Sequence, residues 1–271
     1  MHWFEALILG IIQGLTEFLP VSSSGHIELG KAILGVDLES DNLLFSIIVH
    51  GATALSTIVV FRKTIGELFR SLFAFKWNAD TKYITFILVS MIPVGVVGVL
   101  YEDEIEAFFD GQILFVGSML LITAFLLWLS TRVGNPEGKV TYKNAIIVGI
   151  SQAFAILPGI SRSGTTISAS LLLGISREEA AKFSFLMVLP PILGATLLKT
   201  MSFLKADQAV EMTTGSGISS IALTIGFIAA FISGVFACQL MIRIVKNSKL
   251  IYFAAYCLVV GLVAVGWSLF A

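Results

Sequence analysis

The sequence predicts an all-α polytopic membrane protein, with six full transmembrane helices and two re-entrant helix hairpins arranged as an inverted-topology repeat. Three observations predict it. The 271 residues are 56% hydrophobic and only 13% charged, about half the ~25% charge of an average soluble domain, which is too little to solvate a globular surface. Most of the apolar stretches between charged residues reach the ~20 residues that a bilayer crossing needs. Two broken apolar regions, one in each half of the chain, carry the same polar pattern.

The composition argues against a soluble enzyme, a nucleic-acid binder and a disordered chain. A net charge of −1 gives nucleic acid nothing to bind. Cys238 and Cys257 sit inside apolar runs, so no disulfide framework is expected. The N-terminus has no basic segment followed by a short apolar run and a cleavage site, so no removable signal peptide is expected.

In chain order, residues 3–35 form the first broken region. Glu17, Pro20 and the run Ser22-Ser23-Ser24-Gly25-His26 interrupt it. Three crossings follow, at roughly 42–62, 83–101 and 112–131. Residues 144–174 form the second broken region, interrupted by Pro158, Gly159 and Ser161-Arg162-Ser163-Gly164. Three more crossings follow, at roughly 179–200, 218–243 and 250–270. The crossing at 179–200 reaches full length by letting the charged ends of its side chains snorkel. Each half of a broken region is about 14 residues, too short to cross, and proline with glycine ends the helix at the break. Each region therefore reads as a hairpin that enters the membrane, turns and leaves on the same side. Such backbone is tolerated only where protein or water covers it.

The two regions resemble each other, with their prolines one residue out of register. With an offset of 139, Gln13, Ser22, Ser24, Gly25, Leu34 and Gly35 meet identical residues. Residues 1–131 form repeat 1 and 144–271 repeat 2, within one integrated membrane domain. Three crossings per repeat put the second unit in the opposite orientation. Loop charge agrees. Arg62 and the loops 63–82, 132–143, 175–182 and 243–249 hold 13 of the 17 Lys and Arg, so they are expected in the cytoplasm. The opposite loops are acidic, with Asp37, Glu39 and Asp41, then Glu102 through Asp110. The hairpins then dip from opposite leaflets and their tips meet inside the membrane.

An arginine at bilayer depth costs roughly 2.5–3.5 kcal/mol, so Arg162 needs a partner, and Glu17 in the facing hairpin is the protein candidate. A purely structural Arg–Glu pair is the plain alternative. Around that pair, Ser22, Ser23, Ser24, Ser161, Ser163, Thr165 and Thr166 gather hydroxyls at two helix N-termini. Free N–H groups and the positive dipole end suit phosphate, and a guanidinium adds bidentate contacts. Helix capping explains one or two of the serines. Ser22, Ser24, Ser161, Ser163, Gly164 and Thr166 are the candidate phosphate-binding residues. His26 follows Ser23 by one helical turn and could assist a hydroxyl or a water as base or acid. His50 reads as an ordinary polar helix contact, and His2 carries no signal. Gln13 lies four residues before Glu17 on one helix face. That pair offers oxygens to a hard cation such as Mg²⁺, with phosphates supplying the rest. Trp3, Trp128 and Trp267 fall near span ends, as interfacial residues do.

Gln13-Gly-Leu-Thr-Glu17-Phe-Leu-Pro20-Val-Ser-Ser23-Ser-Gly25-His26 and Leu157-Pro158-Gly159-Ile-Ser161-Arg162-Ser163-Gly164-Thr-Thr166 resemble the two signature motifs of the bacterial undecaprenyl-diphosphate phosphatases of the bacitracin-resistance type. The resemblance extends over the whole chain in length, span order and motif placement. It implies an integral inner-membrane hydrolase that converts undecaprenyl diphosphate to undecaprenyl phosphate and inorganic phosphate for peptidoglycan synthesis. It also implies dependence on a divalent cation, Mg²⁺ or Ca²⁺, and a site facing the periplasm. Glu17, Ser23, His26 and Arg162 fall on the family's catalytic positions, and Ser161, Ser163 and Thr166 on its phosphate loop. Where the family often has a first glutamate, this chain has Gln13, which leaves Glu17 with the formal charge toward a metal. The Lys-x₆-Arg-Pro element of another group of membrane lipid phosphatases is missing. The expected partners are the polyprenyl diphosphate and membrane lipids. Small-residue faces such as Gly95-x-x-Gly98 permit the close packing of a homodimer. The rival expectation is an inverted-repeat transporter or flippase of the polyprenyl phosphate carrier, since broken helices meeting at the midplane are also its architecture.

Overall fold

The computed structural model describes residues 1–34, 42–101, 113–205 and 219–270. Among them are eleven helices and no strand: α1 Trp3–Phe18, α2 Ser23–Leu34, α3 Asn42–Val60, α4 Arg62–Phe73, α5 Ala79–Leu100, α6 Ile113–Thr131, α7 Tyr142–Phe154, α8 Arg162–Leu172, α9 Arg177–Lys205, α10 Ser220–Lys246 and α11 Ile251–Phe270. The acidic loops containing Asp37, Glu39 and Asp41 and Glu102 through Asp110 lie outside the described residues, as does Gly35.

Apolar runs and polar caps set the helix boundaries. Asn78 accepts a bond from the Thr81 N–H at 2.9 Å to start α5, and Thr141 accepts one from Asn144 at 3.3 Å to start α7. Pro93 lies within α5, and Pro190 and Pro191 within α9. Membrane helices tolerate proline because neighbours re-satisfy the freed carbonyls. Five helices, α5, α6, α9, α10 and α11, are long and apolar enough to cross a membrane. The crossing expected at 42–62 is the sixth only if the bent pair α3–α4 is counted as one span.

That pair corrects one expectation. Residues 63–82, read from the sequence as a charged loop, contain helix α4, set at 79° to α3. The apolar positions Ile65, Leu68, Phe69, Leu72 and Phe73 recur with helical spacing, but the cations between them mask the signal in a search for uninterrupted runs. The corner into α5 is tied by Ser71 donating to Asp80 Oδ2 (2.8 Å) and by Thr81 donating to the Lys76 carbonyl (2.8 Å).

Three of the four basic loops meet. The Gly138 N–H donates to the Gly174 carbonyl at 2.9 Å, and Ser176 returns a bond to Gly138 at 2.8 Å. Arg177 donates to the carbonyls of Val133 and Gly134, and Lys246 pairs with Glu178 at 3.4 Å. Loops 132–143, 175–182 and 243–249 therefore share one end of the bundle.

Small residues set the closest helix contacts. Gly10 and Gly14 of α1 lie against Gly226, Ala230 and Gly234 of α10, and Gly149 of α7 lies against the Ser90 backbone of α5. Without a hydrophobic drive between helices in lipid, such close backbone approach is what holds them. Gly10 and Gly149 are again 139 residues apart. By contrast, Gly95 and Gly98 of α5 face open space. Gly10→Leu should therefore lower detergent melting stability by ~1–3 kcal/mol, the usual cost of overpacking. Gly98→Leu should leave it unchanged. Thermal unfolding of the two purified variants checks the contrast.

Candidate active site

The breaks at residues 19–22 and 155–161 lie against each other. A Cβ on Gly164 would meet Pro20 at 3.1 Å, and one on Gly25 would meet the Gly159 backbone at 3.6 Å. Ser163 donates to the Leu19 carbonyl at 3.3 Å.

Both turns use one capping device. Ser22 Oγ accepts from the Gly25 N–H at 3.3 Å and lies 3.3 Å from Ser24 Oγ. Ser161 Oγ accepts from Gly164 at 3.1 Å and lies 3.3 Å from Ser163 Oγ. The Ser22 and Ser161 hydroxyls and the Gly164 N–H are thus occupied in shaping the turns. The turns differ in where they bend backward. Ser22 itself has φ +71°, whereas in the second turn Gly159 takes φ +94°. A serine there is strained, since only glycine adopts that region without penalty.

The charged pair forms at the junction. Arg162, the first residue of α8, donates Nη2–H to Glu17 Oε1 near the end of α1. The other carboxylate oxygen accepts from Gln13 Nε2 at 2.9 Å and from Ser23 Oγ at 3.0 Å. The Glu17 side chain is 5% exposed and that of Arg162 30%. A small cleft adjoins them. Glu17, Arg162, Ser163, Thr166, Thr53 and Thr57 supply its polar wall, and Phe18, Phe185, Val188 and Ile192 its apolar wall. Thr166 donates to the Arg162 carbonyl at 2.9 Å and touches Ser184 Oγ.

The structure therefore unites Gln13, Glu17, Ser23, Arg162, Ser163 and Thr166. Among the described residues no hydrogen bond joins His26 to Ser23. The His26 ring Nδ1 meets the Ser22 carbonyl at 2.9 Å and Nε2 meets the Tyr256 hydroxyl of α11 at 2.7 Å, with the two rings stacked 5.6 Å apart. A carbonyl only accepts, so Nδ1 carries the proton and Nε2 accepts from the phenol. His26 thus grips the strained residue immediately before Ser23. The neighbouring residue Cys257 donates its S–H to the Pro20 carbonyl at 3.4 Å. Both cysteines are buried and unbridged, as the sequence suggested. The second turn is held from α6, where Thr123 donates to the Gly159 carbonyl at 3.3 Å and accepts from the Ser161 N–H at 3.0 Å.

Sequence reasoning missed Tyr256, Thr123, Thr53 and Thr57, because each sits in an otherwise apolar span. His50 is the polar helix contact the sequence suggested, its Nδ1 meeting the Ser46 carbonyl one turn back at 2.9 Å. A polar stripe at 46, 50, 53 and 57 was the available signal.

A divalent cation fits this pair in part. Gln13 Oε1 is buried with no hydrogen-bond partner among the described residues, and it belongs to the side chain that bonds Glu17. An amide oxygen and a carboxylate are hard ligands, and a cation that takes most of its oxygens from phosphate and water needs few more. Among the described residues there is no group of three or more His, Cys, Asp or Glu that could hold a metal without such help.

The fold and junction define a multi-pass helical membrane protein with a half-buried cleft where serine, carboxylate and guanidinium converge. The model of the bacitracin resistance protein BacA family matches residues 6–263, and the chain belongs to that family. It is similar to proteins named undecaprenyl-diphosphatase. One from Christiangramia forsetii is 56% identical over 266 residues, one from Bacteroides fragilis 52% over 267 and one from Halothermothrix orenii 40% over 269. Each alignment covers 98% of both chains.

Thr123→Val should leave the buried Ser161 N–H unpaired, at a cost of ~1–3 kcal/mol. Amide exchange at the start of α8 should accelerate accordingly, while exchange in α2 stays unchanged.

Proposed function

We propose that the chain is an integral-membrane phosphatase that hydrolyses undecaprenyl diphosphate to undecaprenyl phosphate and inorganic phosphate, returning the lipid carrier to peptidoglycan synthesis. Its place is the bacterial inner membrane, with the cleft open to the periplasm. The observation that carries this reading is the contact of Ser23, Glu17 and Arg162 across two separate helix breaks. The relatives bear the name of a hydrolase, which favours hydrolysis over the transporter reading.

We read the architecture as two inverted repeats, each a re-entrant hairpin followed by three crossings: α1–α2 with α3, α5 and α6, then α7–α8 with α9, α10 and α11. Exchanged packing supports this. Helix α1 packs on α10 of the other repeat as α7 packs on α5, and α6 packs on α11. The last helix of each repeat also pins the turn of the other, through Thr123 in one direction and Tyr256 with Cys257 in the other.

In the resting site Arg162 is bound to Glu17. The terminal phosphoryl of the substrate competes for that guanidinium, offering oxygens in the bidentate geometry arginine prefers. Ser163 and Thr166 line the same wall. Once Arg162 turns to phosphate, Glu17 loses its counter-charge and becomes available as a proton acceptor. Ser23 already donates to it. Ser23 Oγ then attacks phosphorus in line, its proton passes to Glu17, and the bridging P–O bond breaks to release undecaprenyl phosphate. Glu17 passes that proton to the departing undecaprenyl phosphate, then takes one from water as the water attacks the phosphoserine, and returns it to Ser23 Oγ as the P–O bond to serine breaks and inorganic phosphate leaves. Arg162 balances charge on the transferring phosphoryl, which is usually the largest single contribution to such catalysis. Glu17 and Gln13 would hold the expected Mg²⁺ or Ca²⁺, which when bound neutralises phosphate oxygens. His26 acts as a positioning residue, holding the turn that aims Ser23. Tyr256 holds His26.

Ser23→Ala, Glu17→Gln and Arg162→Ala should each lose at least about a hundredfold in phosphate release from detergent-solubilised protein, the scale of losing a nucleophile, base or charge-stabilising group. Acid-quenched enzyme should carry phosphate on Ser23 by mass spectrometry. A quenched, active enzyme without it would replace serine attack by direct attack of water.

Tyr256→Phe should lower kcat about fivefold with KM unchanged, the weight of one hydrogen bond of ~1 kcal/mol. In a His26→Ala background the same substitution should have no further effect. Steady-state phosphate release in the two backgrounds checks this.

A further inference from the structure

Helix α4 has no buried residue and leaves α3 at 79°. With α3 read as the crossing expected at 42–62, a helix set at 79° to it runs along the membrane plane. Its length of 12 residues gives ~18 Å in that plane. Ile65 and Leu68 turn toward the core, while Phe69, Leu72 and Phe73 remain exposed on the adjoining face. The corner beyond adds Phe75, 92% exposed, and Trp77, 64% exposed. The face opposite Ile65 and Leu68 carries Lys63 and Arg70, with Arg62 at its start and Lys76 beyond its end, against Glu67 alone; the nearby Asp80 is engaged by Ser71. The corner is not a slack linker, because the bonds of Ser71, Asn78 and Thr81 lock it to α5.

We propose that α4 and its corner are an in-plane anchor that binds anionic phospholipid headgroups at the leaflet where α3 ends. Phe69, Phe73, Phe75 and Trp77 enter the acyl boundary, and Lys63, Arg70 and Lys76 take the phosphates. Phe69 and Phe73 flank the core-packed stripe of Ile65 and Leu68, and Lys63 and Arg70 lie about a quarter-turn farther round the helix, so rings and cations stand side by side on its outer surface, the arrangement of an interfacial segment. Continuity with α3 fixes the depth, and the cationic excess selects anionic over zwitterionic lipid. This site is separate from the cleft and does not rest on the phosphatase reading.

The test uses the full chain with Trp3, Trp128 and Trp267 replaced by Phe, so that Trp77 alone reports. Vesicles of phosphatidylcholine carry a minor fraction of brominated phosphatidylglycerol or of brominated phosphatidylcholine. At low salt, quenching of Trp77 should show enrichment of the anionic quencher by about fivefold, the weight of one headgroup cation. High salt should abolish the excess, and so should Lys63→Gln, Arg70→Gln and Lys76→Gln combined. Phosphate release by the combined variant should stay within about twofold, which reports its folding. If that variant fails to fold, the salt titration of the single-tryptophan chain decides alone. Equal quenching by the two lipids at low salt overturns the proposal. So does a Trp77 that neither lipid quenches, which would leave the corner to water or a protein partner.

Discussion

An arginine and a glutamate that meet at a half-buried junction constrain one another strictly. Each left alone there is an uncompensated charge, and breaking a buried pair typically costs 3–5 kcal/mol. Glu17 belongs to the first broken region and Arg162 to the second, so neither half of the chain can complete the junction by itself. The rest of the structure can be understood as what keeps the two turns in register. Helix α11 holds the first turn through Tyr256 and Cys257, and α6 holds the second through Thr123. The glycine contacts of α1 with α10 and of α7 with α5 set how closely the hairpins approach their supports.

The serines divide into two kinds. Ser22 and Ser161 are fully engaged in capping, and their burial follows from that duty. Ser23, one position after Ser22, donates to the Glu17 carboxylate of its own hairpin, and Ser163, two positions after Ser161, donates to the Leu19 carbonyl across the junction. A helix N-terminus that caps itself has fewer free N–H groups to offer an anion. In the reading proposed above, the weight of phosphate recognition therefore shifts from backbone toward the Arg162 guanidinium. The left-handed Ser22 is a further sign that the turn is held for a purpose, because strain of this kind persists only where the surroundings enforce it. His26 supplies that enforcement through the Ser22 carbonyl.

Much of the fold was legible because hydrophobic run length and a bilayer's thickness are both one-dimensional quantities. All six expected crossings fall on helices within a few residues, five of them long and apolar enough to cross on their own, and the breaks fall where Pro20 and Pro158 place them. Helix α4 was not legible in the same search, since its apolar face is interleaved with cations. In the site, Glu17 and Arg162 stood out as charges in apolar surroundings, and their pairing followed from cost. The partner of His26 did not stand out. A spacing of three residues brought it near Ser23 along the helix, but ring direction depends on what faces the helix, and what faces it comes from the other end of the chain.

By itself the sequence determined the membrane class, the two breaks, and the arginine and carboxylate that must find each other, because burial cost attaches to a residue type wherever it lies. Only the tertiary structure decided which hydroxyls cap and which face the cleft, and that Tyr256, 230 residues from His26, closes its ring contact. Those choices depend on directions of side chains on packed helices. Local spacing restricts such directions, and the contact of distant segments selects among them.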